Sequence, residues 1–292
     1  MIIVNLIGGL GNQMFQYACG RALSLRTKQQ LRLATDQFHN YSLHNGFDLE
    51  RVFNIDVPHA SVTELKSLLR WQASPRLRKI LGRPLMRWAT SRNWCNEPYF
   101  SYWPGMLDVS HPVYVHGYWQ SENYFADATN LIRRDFTFRN ALDELDLAIH
   151  KRMRAEPSAS LHVRRGDYLQ GKNQRIFDVC DISYYVEAVQ LLRQRLPTIR
   201  LFAFSDDPEW VQKCLMPKLG NMEIIRHNKG NRSCNDMRLM STADHHIIAN
   251  SSFSWWGAWL NQNKEKIVIA PKKWFSDGRS TSTLLPDTWI RL

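Results

Sequence analysis

The sequence predicts an α/β protein with parallel β-sheets, and three observations lead to this class. Apolar strand patterns alternate with helical patterns through the second half of the chain, an arrangement that produces a parallel sheet covered by helices. Polar motifs follow three of these strand patterns, as binding residues do at the carboxyl edge of such a sheet. The chain has 292 residues, of which 44% are hydrophobic, so it is long enough for two domains with separate cores.

The first half of the chain opens with a strand pattern, a glycine-rich loop and a helical pattern. The loop reads GGLGNQ and brings Gly11, Asn12 and Gln13 to the start of the helix. Backbone and amide groups placed there can approach a ligand, and a tight turn with packing glycines is the alternative. The strands predicted in this half are residues 1–7, 31–34 and 113–115.

Residues 66–92 mix basic, aromatic and aliphatic side chains and contain no acidic residue. Trp71, Leu85 and Trp88 are interleaved with cations, and prolines at positions 75 and 84 divide the segment into short helices. This mixture is typical of a surface that contacts an anionic membrane, whereas a solvated face with ordinary arginines is the alternative. The basic residues are Lys66, Arg70, Arg76, Arg78, Lys79, Arg83, Arg87 and Arg92.

Residues 98–124 are rich in aromatic side chains, among them Trp119. Such a ring can stack on the apolar C–H face of a sugar or pack in a core, and the pattern does not decide between the two. The pair Glu156-Pro157 follows a helical pattern and indicates a domain junction. We therefore expect an N-terminal α/β domain at residues 1–155 and a C-terminal domain at 156–292. In an alternative arrangement, the last helix packs back on the first domain.

The second half alternates regularly between strand and helix patterns. The predicted strands are residues 160–164, 200–204, 222–225, 245–249 and 267–270. The predicted helices are residues 141–153, 182–196, 209–214, 235–241 and 255–263. Because parallel strands end at one edge of a sheet, we expect the polar residues after three of these strands to lie near one another.

The motif LHVRRGDY at residues 161–168 offers the most chemistry. Arg164 and Arg165 place two guanidinium groups at a strand end, beside a glycine that lets a ligand come close, which suits a diphosphate. A surface turn with an Arg165–Asp167 ion pair is the alternative. Ser251 and Ser252 precede a helix, where hydroxyl and backbone N–H groups can hold a phosphate, although a serine N-cap explains them as well.

Asp236 is a candidate for guanine recognition, because a carboxylate accepts the paired N–H donors of that base; an acid in the first turn of a helix is the plain alternative. The sequence has no D-x-D pair, and its five cysteines are scattered without a C-x-x-C spacing. We therefore expect no metal site, no disulfide framework and no cofactor. A departing diphosphate would then be neutralised by Arg164 and a helix N-terminus.

The formal charge of +11 requires an anionic partner such as nucleotide phosphates or an anionic membrane. No nucleic-acid-binding signature is present, so nucleic acid is not an expected partner. The N-terminal apolar run lacks a preceding cationic region and no run is long enough to span a membrane, so neither a signal peptide nor a span is expected. These features favour a cytoplasmic protein with peripheral contact at the inner face of the plasma membrane.

Four motifs together resemble a known family. They are GGLGNQMFQYA (8–18), GYWQSENYF (117–125), HVRRGDY (162–168) and LMSTADHHIIANSSFSWWGAWL (239–260). In this order they resemble the bacterial α-1,2-fucosyltransferases of glycosyltransferase family 11. The resemblance implies a GT-B fold with the active site in the cleft between two Rossmann-like domains. It also implies GDP-β-L-fucose as donor, inversion to an α-fucoside, no metal, and a role in O-antigen or other surface polysaccharide synthesis.

The resemblance assigns roles to individual residues. Arg164 resembles the arginine that grips the β-phosphate, Asp236 the acid that reads guanine, and Asn12 the loop asparagine that faces the reacting centre. Asp167 is the expected proton acceptor, since the acceptor hydroxyl needs a base. The remaining donor-binding candidates are His162, Arg165, Ser205, Asp206, Ser251, Ser252 and Phe253. The acceptor-side candidates are Gly11, Asn12, Gln13 and Trp119.

The implied reaction transfers L-fucose to the 2-hydroxyl of a terminal galactose on a glycan, with a lipid-diphosphate-linked glycan as one form of that acceptor. Two other functions stay open at this point. One is a non-catalytic GDP-sugar-binding or glycan-binding protein on the same scaffold, since a fold does not fix a function. The other is a fucosyltransferase that makes a different linkage.

Overall fold

The computed structural model describes residues 1–39, 45–169, 176–220 and 222–292, with the backbone alone for Asp167. Two compact units are present. The first comprises Met1–Arg139 with Ser282–Leu284, and the second comprises Asn140–Thr281 with Leu285–Leu292. Each unit contains its own parallel sheet.

The sequence-based junction at residues 155/156 lies inside the second unit. The helix before it, Glu144–Ala155, packs against the helix Cys234–Met240 of that unit, which is why the division comes earlier in the chain. The last described helix, Ser252–Leu260, belongs to the second unit. The short stretch Ser282–Leu284 is grouped with the first unit.

The first unit is built on a four-stranded parallel sheet. Its strands are β1 (Ile2–Asn5), β2 (Leu31–Ala34), β3 (Trp94–Asn96) and β4 (Val113–His116). They lie in the order β2-β1-β4-β3, so β1 is central and its apolar residues are fully buried. The three strands predicted in this half are confirmed, whereas the three-residue β3 was not predicted.

The helices of the first unit are short apart from the first one. They are α1 (Leu10–Thr27), α2 (Leu49–Val52), α3 (Val62–Leu69), α4 (Pro75–Leu81) and α5 (Thr129–Asp135). Single 3₁₀ segments lie at Asp36–Phe38, Arg70–Ala73, Pro84–Ala89, Pro104–Met106, Glu122–Tyr124 and Ala126–Ala128. Proline begins both α4 and the segment Pro84–Ala89, which confirms that these prolines divide the basic stretch.

Helix α1 lies directly on β1 because Gly20 has no side chain. A Cβ atom at Gly20 would lie 2.0 Å from Cγ2 of Val4, a distance that no real Cβ contact allows. The helix begins after Gly9 and ends at Thr27, and the next residue, Lys28, has a left-handed φ of 53°. This close packing holds the N-terminal end of α1, and with it Asn12, at the edge of the sheet.

The second unit is built on a six-stranded parallel sheet. Its strands are β5 (Ser158–Val163), β6 (Arg200–Ser205), β7 (Glu223–Ile225), β8 (His245–Ile247), β9 (Val268–Ala270) and β10 (Ile290–Arg291). They lie in the order β10-β9-β8-β5-β6-β7. All five strands predicted in this half are confirmed to within two residues at each end, and β10 was not predicted.

Helices connect these strands as a parallel sheet requires. They are α6 (Glu144–Ala155), α7 (Ile182–Arg195), α8 (Pro208–Trp210), α9 (Met216–Leu219), α10 (Cys234–Met240) and α11 (Ser252–Leu260). A π turn at Val211–Leu215 joins α8 to α9, and 3₁₀ turns lie at Asp167–Leu169 and Gly230–Arg232. The α/β class with parallel sheets is therefore confirmed. None of the described helices has the length and hydrophobicity that a membrane span requires.

Candidate active site

The carboxyl end of the central strand β5 carries the arginine pair. Val163, the last residue of β5, pairs with Ser205 of β6, so the residues after the two strands are neighbours. Nε of Arg164 lies 3.3 Å from Oδ2 of Asp206. The backbone N–H of Arg165 donates to the other oxygen of Asp206 at 2.9 Å. The parallel register thus brings together Arg164, Arg165, Ser205 and Asp206, all of which were predicted as site residues.

Each arginine has an aromatic partner that fixes its direction. The guanidinium carbon of Arg164 lies 5.6 Å from the ring centroid of Tyr168, whose hydroxyl donates to the backbone oxygen of Asn250 at 3.0 Å. The guanidinium carbon of Arg165 lies 4.0 Å from the ring centroid of Trp210. Tyr168 therefore links the end of β5 to the residues that follow β8. Sequence reasoning did not include either ring among the site residues.

The backbone at Gly166 lies close to the side chain of Asp206. A Cβ atom at this position would lie 3.1 Å from Oδ2 of Asp206, the oxygen that faces Arg164. The glycine thus lets the carboxylate lie against the backbone of the loop. The predicted Arg165–Asp167 ion pair and the predicted role of Asp167 as a base both concern a side chain outside the described residues.

His162 is buried beside Arg164 and carries no charge near neutral pH. Burial, assisted by the positive charge of Arg164, lowers the pKa of the imidazole to about 3. Its side chain is 5% exposed, its Nδ1 atom has no hydrogen-bond partner among the described residues, and its ring centroid lies 5.9 Å from that of Phe253. A neutral ring with an unsatisfied nitrogen is suited to hydrogen bonding with a polar ligand rather than to neutralising its charge.

Helix α11 places its N-terminus at the same edge of the sheet. Ser251 caps the helix, because its hydroxyl accepts the backbone N–H of Phe253 at 3.3 Å. Trp255, Trp256 and Trp259 are buried in the core and anchor the helix behind its first turn. The capping interpretation of Ser251 is therefore confirmed. Ser252 and Phe253 are half-buried in the first turn.

Asp236 lies in the first turn of α10 within a cluster of polar side chains. The side-chain nitrogen of Asn228 donates to Oδ1 of Asp236 at 2.9 Å and to Oδ1 of the fully buried Asp146 at 2.8 Å. Burial raises the pKa of Asp236 to about 7; the hydrogen bond from Asn228 opposes this rise and the charge of Asp146 adds to it. Asp236 is therefore a carboxyl group that changes charge near neutral pH.

The same cluster contains atoms that could approach a metal ion. Asp143, Asp146 and His227 each have one possible ligand atom, and these three atoms lie within 4.8 Å of one another. The oxygens of Asp146 are engaged, however, because they accept hydrogen bonds from His227, Asn228 and Asn235. The cluster is thus a hydrogen-bonded network that joins α6 to α10 in the described structure.

Gln13 and Asn12, two predicted acceptor-side residues at the start of α1, have different roles in the structure. Gln13 is fully buried, donates to the backbone oxygens of Gly8 and Gly46, and accepts the N–H of Asp48. Its amide is thus used to hold two loops together and is not left for an acceptor. Asn12 is partly exposed, and its Oδ1 accepts a 2.6 Å hydrogen bond from Gln120. Gly11 is buried in the first turn of the helix.

Trp119 is a core residue with a strained backbone. Its side chain is fully buried, its φ is 56°, and its ring packs edge-on against Tyr124 at a centroid distance of 5.3 Å. Of the two interpretations that the sequence left open, core packing is the observed one, because no ring surface is accessible for a sugar. The exposed ring of this turn belongs to Tyr118, which is 43% exposed.

Glu97 holds the turn that contains Trp119 and was missed by sequence reasoning. Its two carboxylate oxygens accept the backbone N–H groups of Tyr118 and Trp119 at 2.8 and 2.9 Å. Burial raises the pKa of Glu97 to about 7, against the effect of these two hydrogen bonds. A single acid after β3 forms no motif, so nothing in the sequence pattern marked it.

The first unit also contains a cavity of about 700 Å³ beyond the end of β2. Its lining includes Asp36, His59, Lys66, Arg70, Trp71 and Arg78. Arg78 is 1% exposed and forms an ion pair of 2.5 Å with Asp36, whereas Trp71 is 67% exposed. Polar groups beside an accessible indole are the kind of lining that binds sugars.

Comparison with known proteins identifies the family. Residues 89–292, well over half of the chain, match the family description Glycosyl transferase family 11. The chain belongs to glycosyl transferase family 11. This family 11 member is 36% identical, over 100% of its length and 99% of the other protein, to an alpha-1,2-colitosyltransferase of Escherichia coli. It is 32% identical to the O-antigen biosynthesis glycosyltransferase WbnK of Escherichia coli, over 98% of this chain and 99% of that protein.

More distant relatives extend the similarity beyond bacteria. The family 11 chain is 26% identical to a galactoside alpha-(1,2)-fucosyltransferase 1 of Ateles belzebuth over 87% of its own length and 63% of that protein. The crystal structure of NodZ alpha-1,6-fucosyltransferase, soaked with GDP-fucose, superposes with a TM-score of 0.53 at 14% identity. That superposition covers 89% of this chain and 91% of the NodZ chain, and it shows a shared α/β fold.

Proposed function

We propose that this family 11 glycosyltransferase is an inverting, metal-independent fucosyltransferase. It would transfer L-fucose from GDP-β-L-fucose to the 2-hydroxyl of a terminal galactose, as part of O-antigen or other surface polysaccharide synthesis. The observation that carries the proposal is the Arg164 guanidinium, held by Asp206 at the carboxyl end of the central strand. Its similarity to an O-antigen biosynthesis glycosyltransferase and to a galactoside alpha-(1,2)-fucosyltransferase supports it.

The arginine supplies the electrostatic part of the reaction. Negative charge accumulates on the β-phosphate as the bond from the fucose anomeric carbon to the diphosphate breaks, and a guanidinium stabilises that charge with directed N–H groups. Arg165 adds a second positive charge, and Ser252 with the first turn of α11 adds polar groups at the same edge. These groups would replace a divalent cation in this proposal.

Two further residues would bind the nucleoside. Asp236, in its charged form, would accept the N1–H and the 2-amino group of guanine. His162 would hydrogen-bond to the donor through its unsatisfied Nδ1, and its ring would lie between the donor and Phe253. A neutral imidazole suits this position, since a third cation beside Arg164 and Arg165 would be repelled.

The acceptor glycan would bind to the first unit. In this proposal the two units form a GT-B enzyme and the reaction takes place in the cleft between them. Asn12, held by Gln120, would orient the acceptor, and Asp167 would remove the proton from its 2-hydroxyl. A sugar ring of the acceptor could stack on the exposed Tyr118 ring or on Trp71 in the cavity. A lipid-diphosphate-linked glycan at the cytoplasmic face of the membrane is the proposed natural form of the acceptor.

A second donor is favoured by one specific observation. The chain is 36% identical over its full length to an alpha-1,2-colitosyltransferase. Colitose is the 3-deoxy form of L-fucose, so the two donors differ only in one hydroxyl group. A site that hydrogen-bonds this hydroxyl would prefer fucose strongly, whereas an apolar contact would accept both sugars.

The test is a transfer assay with a panel of β-galactosides, run with GDP-fucose and with GDP-colitose in the presence of EDTA. We expect release of GDP from GDP-fucose and, by NMR, an α-fucosyl group on O2 of galactose. Faster turnover of GDP-colitose would show that colitose, and not fucose, is the preferred donor sugar. Tight binding of GDP-fucose without release of GDP would identify a non-catalytic binding protein, and an O3 or O6 product would overturn the linkage.

A further inference from the structure

The segment from α3 to the end of the 3₁₀ helix Pro84–Ala89 carries large apolar side chains on its exposed surface. Trp71 is 67% exposed, Leu85 is 87% exposed and Trp88 is 83% exposed. Leu85 and Trp88 are three residues apart in the 3₁₀ helix, so they project from the same side of it. Exposed groups of this size are costly to hydrate, and grouped ones mark interaction surfaces.

These exposed residues do not arise from loose folding of the segment. Several of its other apolar residues are buried in the core of the first unit, where Leu65, Leu69 and Leu81 pack in one cluster with Tyr114 of β4. Helix α3 is capped by Ser61, which accepts the N–H of Glu64 while Glu64 accepts the N–H of Ser61. The segment therefore has an inner face that the fold uses and an outer face that it leaves in solvent.

The outer face is also cationic. Six basic residues are exposed and form no ion pair with any other described residue: Lys66, Arg70, Arg76, Lys79, Arg83 and Arg92. The other two are used inside the unit, since Arg78 pairs with Asp36 and Arg87 donates to the backbone oxygen of Pro98. No acidic residue occurs between Glu64 and Glu97 to offset these charges.

We propose that this outer face, defined by Trp71, Leu85, Trp88 and the six exposed cations, binds the surface of an anionic lipid bilayer. Charges of one sign without interspersed carboxylates fit a continuous anionic plane better than a protein surface of mixed charge. Indole rings and a leucine beside those charges fit the boundary between headgroups and acyl chains. The attachment is peripheral and does not depend on the proposed transfer reaction.

Vesicle co-sedimentation tests the proposal. The full chain is mixed with vesicles of phosphatidylcholine alone, or of phosphatidylcholine with phosphatidylglycerol, at low and high salt. We expect binding to the phosphatidylglycerol vesicles at low salt and its loss at high salt. No binding at low salt, or equal binding to both lipids, overturns the proposal. A face that instead binds a protein partner would give one of these two results.

Two variants locate the surface. The charge variant Arg76→Gln/Lys79→Gln/Arg83→Gln should weaken binding about 100-fold, because each cation near an anionic surface contributes roughly fivefold. The apolar variant Leu85→Ser/Trp88→Ser should weaken it while the salt dependence remains. None of these five residues lines the cavity or belongs to the proposed active site.

Matched controls come from the second unit. Lys151→Gln/Lys213→Gln/Lys218→Gln removes three exposed cations, and Leu145→Ser replaces a leucine that is 60% exposed. Both should bind vesicles as the parent chain does. If the lysine variant lost as much binding as the charge variant, net charge alone would explain the effect and the proposed face would be wrong. Thermal unfolding of each variant checks that it is folded.

Discussion

The side-chain nitrogen of Asn228 donates a hydrogen bond of 2.9 Å to Oδ1 of Asp236. The same nitrogen serves Asp146 at 2.8 Å, so one amide bridges two carboxyl groups that would otherwise repel each other. The bridge fixes one oxygen of Asp236 and limits the rise of its pKa, which burial brings to about 7. The affinity for a guanine nucleotide should therefore depend on Asn228, although this residue need not touch the ligand.

The first prediction concerns Asn228→Ala. Without the bridge the pKa of Asp236 should rise further, because the charge of Asp146 remains. The charged form of Asp236, which we propose accepts guanine, would then be scarcer at pH 7. We expect the Kd for GDP to increase about tenfold at pH 7, equivalent to one charged hydrogen bond, and to recover as the pH is raised. Calorimetric titration between pH 6 and 9 measures this. A loss that is the same at every pH would contradict it, and Asn231→Ala, an exposed asparagine nearby, is the control.

The second prediction concerns Arg164. Arg164→Ala should lower kcat by about 10²- to 10³-fold, the usual cost of removing a group that stabilises transition-state charge. Arg164→Lys should recover only part of this, because an ammonium keeps the charge but lacks the planar set of donors. Arg226, a half-buried residue paired with Glu209 in the same unit, provides the control Arg226→Ala. Steady-state GDP release gives the rates, and near-normal turnover by Arg164→Ala would remove the residue from the mechanism.

The third prediction follows from the buried carboxyl group of Glu97. Its pKa is raised from 4.5 to about 7 in the folded protein, so the folded state binds its proton more tightly than the unfolded state does. This contribution to stability is complete below pH 4.5 and is lost as the pH rises to about 7. The free energy of unfolding of Glu97→Gln, from urea titrations at several pH values, should fall less over this interval than that of the parent chain. Parallel pH profiles for the two proteins would disprove it.

The fourth prediction tests the contact between α1 and β1. Gly20→Ala should destabilise the protein by about 1–3 kcal/mol, the cost of overpacking, because the new methyl group would collide with Val4. Val4→Ala removes the methyl groups in question but leaves a cavity. The double variant should therefore be more stable than the sum of the two single changes implies, as is usual for residues in direct contact. If the two changes in the free energy of unfolding were simply additive, helix α1 would instead have moved away from β1 to accommodate the methyl group.

The sequence predicted the sheets well because strand and helix periodicity is a local property. Strands β1, β2, β4 and β5 to β9 follow their patterns closely, and the parallel order explains why Arg164 and Asp206 meet. The sequence analysis did not predict β10 and β3. Two residues are too few for β10 to show a period, and β3 is defined by its pairing with β4. Helix α11 begins earlier than predicted because the cap at Ser251 sets its start.

The side-chain roles were harder to predict, because burial is decided by packing between distant segments. The ring of Trp119 and that of Tyr118 are adjacent in the chain, and only the fold shows that the first is buried and the second exposed. Gln13 stood out in the loop motif, yet its amide is occupied by the backbone of residues that are distant in sequence. Glu97, Asn228 and Tyr168 act through contacts that no spacing rule encodes.

The carboxylate of Asp206 has a consequence for the end of each catalytic cycle. The guanidinium of Arg164 is held in a fixed orientation by the carboxylate of Asp206. It therefore attracts a second anion less strongly than an isolated guanidinium would. In the proposed mechanism, Asp206 would shorten the time for which the released GDP stays bound and would keep the guanidinium of Arg164 in a fixed direction. We expect Asp206→Asn to become more sensitive to product inhibition by GDP, which would make nucleotide escape the slow step.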